Sequence, residues 1–176
     1  RVAGSLTTGS ASTIRFGTPT ALGGAGFTFS NNTFTTNPLN VGDLIIERTN
    51  NIALANQGVT INGTLSLNNA GSFYLQGNTL TFQDDDNPII RNSTGTITNS
   101  VGIPSIVFGT IGHTGGADFQ IPNGTFGSVT FNDFTVNRDN KLMLGNQGPT
   151  ISNTLNLVKG EFDINGQTLI FNGNTP

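Results

Sequence analysis

The sequence predicts an all-β fold, a right-handed parallel β-helix (β-solenoid) with about 21 residues and three short strands per coil. Three observations carry that prediction. The phrase NQGVTINGTLSL at residues 56–67 returns as NQGPTISNTLNL at residues 146–157. Within each copy, three-residue in-out-in triplets recur about 21 positions apart. No helical period, opened by an N-cap and carried by an amphipathic run, occurs along the chain.

The long repeat sets the domain organisation. A segment I-R-F-G-T…G-G-A-G-F…N-N-T-F begins at Ile14 and reappears from Ile106 as I-V-F-G-T…G-G-A-D-F…N-G-T-F, a shift of 92. After a two-residue contraction the shift is 90, and Asp43, Arg48, Ile61, Thr64 and Leu65 meet Asp133, Arg138, Ile151, Thr154 and Leu155. One further deletion brings Phe73, Gly77, Leu80 and Phe82 onto Phe162, Gly166, Leu169 and Phe171. Residues 1–13 then read as the tail of a preceding repeat, 14–105 as a first unit and 106–176 as a second unit lacking its tail. Pro176 falls where Pro88 stood, and G-S-L-T-T from Gly4 resembles G-T-I-T-N from Gly95, so the expectation is a window from a longer array.

The finer period places the strands. Leu44-Ile45-Ile46, Ile52-Ala53-Leu54 and Val59-Thr60-Ile61 shift by 21 onto Leu65-Ser66-Leu67, Phe73-Tyr74-Leu75 and Leu80-Thr81-Phe82. In the second unit Phe134-Thr135-Val136 meets Leu155-Asn156-Leu157, and Leu142-Met143-Leu144 meets Phe162-Asp163-Ile164. Alternation over three residues marks a strand with one buried face. Asn62-Gly63, Asn123-Gly124 and Asn165-Gly166 supply corners, because Asn and Gly tolerate positive φ. A wider coil is expected from Ile89-Ile90, Thr96-Ile97-Thr98 and Ile106-Val107-Phe108, whereas Phe119 to Phe131 is too short for a regular one. Four coils per unit give about eight in all, a rod near 40 Å long at roughly 4.8 Å per layer. One coil alone buries too few side chains to offset the ordering of its backbone, so the phrase recurs because each copy is another layer. The competing fold is a pair of tandem immunoglobulin-like β-sandwiches, also near 90 residues per unit, but these carry no inner period of about 21.

Composition narrows the functions. Thirteen Phe against one Tyr and no Trp indicate aromatics that fill a core. A net charge of −3 with seven Lys and Arg leaves no electrostatic footprint for nucleic acid or an anionic membrane. No apolar run approaches the roughly 20 residues of a membrane-spanning helix. With no cysteine, disulfides do not indicate the compartment.

Candidate sites are few. Asp84, Asp85 and Asp86 form the one acidic cluster and could offer oxygens to Ca²⁺, but they lack the alternating ligands of a calcium loop, and the second unit has Asn172-Gly173-Asn174 there. A solvated turn is the expectation, with no cofactor. His113, in a glycine-rich corner with no second His and no Cys, reads as surface loop rather than metal ligand or catalytic base. Asp43 with Arg48, repeated as Asp133 with Arg138, is the one charged pair kept in both units. It is either a recurring sugar-binding patch or, as expected here, an Asp closing its own turn and an Arg covering an edge. Thr60 and Thr81 suggest a threonine ladder, broken at Thr150 and Ile170. Sequons at Asn31, Asn62, Asn92 and Asn123 matter only in a eukaryotic secretory pathway.

The runs T-L-S-L-N-N-A-G-S-F-Y-L-Q-G-N-T-L-T-F (Thr64 to Phe82) and T-L-N-L-V-K-G-E-F-D-I-N-G-Q-T-L-I-F (Thr154 to Phe171) resemble the strand repeats of long secreted surface proteins of Bacteroidota, and more loosely the passenger repeats of autotransporters. The resemblance implies an extracellular, cell-surface location and a role in stalks, fibres or adhesin shafts. It transfers no site residue. The expected function is therefore a non-catalytic structural segment whose partners are further copies of the repeat, with glycans engaged through other regions. The alternatives are a polysaccharide lyase-like β-helix enzyme, which needs carboxylates and a base converging on one groove, and a glycan-binding module.

Overall fold

A computed structural model describes residues 8–18, 20, 23, 25–29, 38–69, 71–83, 86–112 and 115–173. Among the described residues it contains eighteen β-strands and no helix. Every strand pairing is parallel, which excludes the tandem sandwiches and establishes the β-solenoid.

The first copy forms three faces of a prism. The first face stacks Ile14–Phe16, Leu44–Ile46, Leu65–Leu67 and Ile89–Arg91. The second stacks Phe27–Phe29, Ile52–Leu54, Phe73–Tyr74 and Ile97–Thr98. The third stacks Leu39–Val41, Val59–Ile61, Thr79–Phe82 and Ser105–Phe108, and the same hydrogen-bonded sheet continues into the long strands Thr130–Asn137 and Thr150–Lys159, whose second halves stay in this row while their first halves form a neighbouring row with Ile170–Phe171. Phe119–Gln120, Leu142–Met143 and Phe162–Asp163 make a fourth, shorter sheet. Leu44 lies on Leu65, Ile52 on Phe73 and Val59 on Leu80, the register that the period of 21 predicts.

The coil number is smaller than the sequence suggests. The stack has about 6 turns of about 22 residues, not eight of 21, which makes it roughly 29 Å long. Ile89, Ile97 and Ile106 do form the wider coil. The short stretch from Phe119 to Phe131 is also absorbed, with Phe119 on Leu142, Phe126 bridging to Ile97 and Phe131 on Ile151.

Inward side chains of all the sheets meet in one apolar core that runs through both copies. A phenylalanine column crosses the join, with ring centroids 5.1 Å apart for Phe82–Phe108, 5.7 Å for Phe108–Phe134 and 5.1 Å for Phe134–Phe162. Offset and tilted rings at this spacing add to the area they bury. One corner is the same in both copies: Gln76-Gly77 and Asn165-Gly166 each place two successive residues at positive φ (53° and 76°, 50° and 71°). Asn78 and Asn165 donate side-chain amides across layers to the carbonyls of Ala55 and Leu144.

The second copy is not stacked in phase with the first. Ile106 is the repeat counterpart of Ile14 on the first face, yet it lies on Leu80 of the third face. Among the described residues eleven strands, Ile14–Phe16 to Ile97–Thr98, precede Ser105–Phe108, and eleven is one short of four rounds of three faces. The second copy is thereby rotated by one side of the prism.

Candidate functional site: the repeated aspartate and arginine corners

Asp43 and Asp133 follow inward-facing Val41 and Phe131 at the same corner. Thr64 N donates to Asp43 Oδ1 at 2.9 Å, and Thr13 Oγ1 donates to Oδ2 at 3.4 Å. In the second copy Asn153 Nδ2 donates to Asp133 Oδ1 at 2.7 Å, and Ser105 Oγ to Oδ2 at 3.2 Å. Thr13 and Ser105 occupy one repeat position. Each carboxylate therefore joins the coil before it to the coil after it, rather than closing its own turn as the sequence suggests. Both oxygens of each carboxylate accept a bond from a neighbouring coil.

The arginines are also tied to backbone. Arg48 Nη2 donates to Ala25 O at 2.6 Å, and Arg138 Nη2 donates to Ala117 O at 3.1 Å. Ala25 and Ala117 are repeat counterparts, so both guanidiniums hold the same glycine-rich bend. Arg138 is fully buried and lies over the Phe119 ring, 5.8 Å from its centroid. A planar guanidinium tolerates such stacking better than an ammonium.

The two corners differ in how the chain turns. In the first copy Gly63 sits so close to the preceding coil that an added Cβ would meet Gly42 O at 3.1 Å and press on Asp43 Oδ1. In the second copy Asn132 and Asn153 replace Gly42 and Gly63, and the strands run through as Thr130–Asn137 and Thr150–Lys159 with a register shift between Phe131 and Asp133. Asn132 Nδ2 also donates to Asp133 Oδ2 at 2.7 Å.

The remaining candidates scatter. Asp84, Asp85, His113 and Asn31 lie outside the described residues. Asp86 is exposed and accepts from Ala117 N at 3.3 Å. Among the described residues no group of three or more His, Cys, Asp or Glu is placed to hold a metal ion. Thr60 lies on Thr81, but the next layer of that row is Val107, while Thr150 lies on Ile170 in a neighbouring row. Asn62 Nδ2 donates to Asn40 Oδ1 and to Val41 O, and Asn92 donates to Asn68 at 2.9 Å, so two of the sequons serve as rungs between coils.

One polar column escaped sequence reasoning. Arg15 pairs with Glu47 at 2.7 Å, Asn68 donates to Glu47 Oε1 at 3.3 Å, and Asn92 continues onto Asn68. Glu47 is 7% exposed. The second copy carries Val107, Asn137 and Val158 at the counterparts of Arg15, Glu47 and Asn68, so comparing the copies hides this column. The spacing of 32 between Arg15 and Glu47, close to that of their stacked strands, was the available signal. A second charged cluster joins Lys141 to Glu161 at 3.0 Å and to Asp163 at 3.7 Å. The hydrogen bond to Glu161 holds the Lys141 ammonium above its usual range.

Two shallow grooves mark the outer surface. One of about 370 Å³ is lined by Phe27, Thr28, Asn51, Tyr74, Gln76 and Ser100, the other of about 380 Å³ by Pro38, Gln57, Gly58, Asn78, Thr79 and Thr81 among others. Neither lining contains a carboxylate or an imidazole, so each offers amide and hydroxyl hydrogen bonds but no acid–base pair. No family model, curated protein or solved structure matches the chain.

Proposed function

We propose that this chain is a structural segment of an extracellular bacterial filament, stalk or adhesin shaft, non-catalytic and built from tandem solenoid repeats. The observation that carries this reading is the continuous core beneath a seven-stranded sheet that spans both copies. A ladder of parallel strands makes a stiff element whose length grows with the number of layers. The use of the charged residues points the same way. Asp43, Asp133, Arg48, Arg138, Glu47 and Lys141 all act on neighbouring coils or bends, and none lines either of the two grooves described above.

The glycan-binding alternative draws on the groove at Tyr74, where an aromatic ring is flanked by Asn51, Gln76 and Ser100. A glycan array separates the two readings, the shaft giving no saturable binding. The direct test is immunogold electron microscopy of intact source cells with antibody raised against this segment. Label on projections at a fixed distance from the envelope supports the shaft. Label that appears only after lysis, or turnover of acidic polysaccharides abolished by one acidic substitution, overturns it.

A further inference from the structure

The join between the two copies displays how one repeat receives the next. Ser105–Phe108 lies on Thr79–Phe82 in parallel register, with Ile106 on Leu80, Val107 beside Thr81 and Phe108 on Phe82. The Phe82 and Phe108 rings stack with an interplanar angle of 19°, and Leu80, Phe82, Ile106 and Phe108 are all fully buried.

Both halves of this join exist a second time in the chain. Leu169, Ile170 and Phe171 are the counterparts of Leu80, Thr81 and Phe82, and Ile14, Arg15 and Phe16 are those of Ile106, Val107 and Phe108. Among the described residues each of these strands is paired along one edge only, Ile170–Phe171 with Thr150 and Ile151, and Ile14–Phe16 with Leu44–Ile46. The surface around the first is apolar: Phe171 is 51% exposed, Ile170 45% and Leu157 54%, where Phe82 and Leu67 are 0%. An unpaired strand edge beside exposed core residues is a template for another strand of matching sequence.

We propose that the Leu169–Phe171 edge receives the Ile14–Phe16 strand of a second copy of this chain, reproducing the internal join. Leu169 covers Ile14, Ile170 lies beside Arg15, and Phe171 stacks on Phe16. The proposal rests on the reading of the chain as a stacked segment and specifies which strands meet. It also fixes the symmetry of the assembly. The first repeat unit advances eleven described strands around three faces, so units joined in this way are each turned by one side and the fourth unit is again in phase with the first.

The chain has no cysteine, which makes disulfide trapping clean. Arg15→Cys and Ile170→Cys are prepared as separate proteins, mixed and mildly oxidised. Thr81→Cys/Val107→Cys in one chain serves as the internal standard, because these residues are directly opposed in the join. Adjacent parallel strands, roughly 4.8 Å apart, lie within disulfide reach. The ratio of mixed to like-with-like disulfide is expected about tenfold above the statistical ratio, because docking raises the effective concentration, and Phe171→Asp added to the Ile170→Cys protein returns it to the statistical ratio. The proposal is overturned if the internal bond forms but the mixture gives only statistical products, or if like-with-like disulfides dominate. In that case the shaft reading still stands or falls on the cell labelling. Failure of the internal bond contradicts the join itself.

Discussion

Leu65–Leu67 and Leu155–Leu157 hold the same place in the repeat and have opposite surroundings. The first strand is flanked by Leu44–Ile46 on one side and Ile89–Arg91 on the other, and Leu67 is 0% exposed. The second pairs with Phe134–Val136, and Leu157 is 54% exposed. An apolar side chain in this fold is buried by the layers on both of its sides, not by its own coil. Stability is then a sum over neighbouring layers, the behaviour of a one-dimensional array.

Substitutions at matched positions break or sharpen that contrast. The largest effect is expected at the join. Phe108→Ala opens a cavity between Phe82 and Phe134 and should cost about 3–5 kcal/mol in chemical denaturation, whereas Phe171→Ala, at protein concentrations too low for association, should cost less than about 1 kcal/mol. Leu67→Ala is expected to cost about 2–5 kcal/mol, and Leu157→Ala to stay within about 1 kcal/mol under the same conditions. Equal costs at either pair would show that burial does not depend on the next layer.

The aspartates make a subtler comparison, because Asp43 accepts from a backbone amide as well as a hydroxyl, whereas the donors to Asp133 described above are all side chains. Asp43→Ala removes the acceptor that Asp43 offers the Thr64 amide and should destabilise by about 1–2 kcal/mol. Asp133→Ala releases Asn153 and Ser105 side chains that can turn to water, and should cost less in the same denaturation series. The smallest effect belongs to Lys141. Its ammonium is held above the ordinary value of 10.5 by Glu161, so its stabilising contribution is complete below that pH and is lost as pH rises through the raised value. A small melting-temperature difference between the native chain and Lys141→Met is thus expected at neutral pH and should vanish in strong alkali.

Much of this architecture was legible because strand triplets and corners obey local rules. Leu44 over Leu65 and Val59 over Leu80 follow from alternation and period alone. The coil count and the phase of the second copy were not legible. Both depend on whether a connection adds a layer, and on corners such as Asn132-Asp133, where a strand runs through a bend that Gly42 and Gly63 break in the first copy. The Asp and Arg corners were identified as residues but not as links between coils, since the partners Thr64, Thr13 and Ala25 become neighbours only after stacking. The Arg15–Glu47 column left no trace in the repeat because the second copy lacks it.

The central claim is that residues one coil apart lie directly over one another through both copies. Asn40, Thr60, Thr81, Val107, Thr135 and Asn156 form one outward row in consecutive register. Spin labels at Asn40 and Asn156, measured by pulsed dipolar spectroscopy, test it most directly. Five layer spacings predict a single narrow distribution centred near roughly 24 Å. A broad distribution, or a centre beyond about 35 Å as for two separate 90-residue domains set end to end, would contradict it.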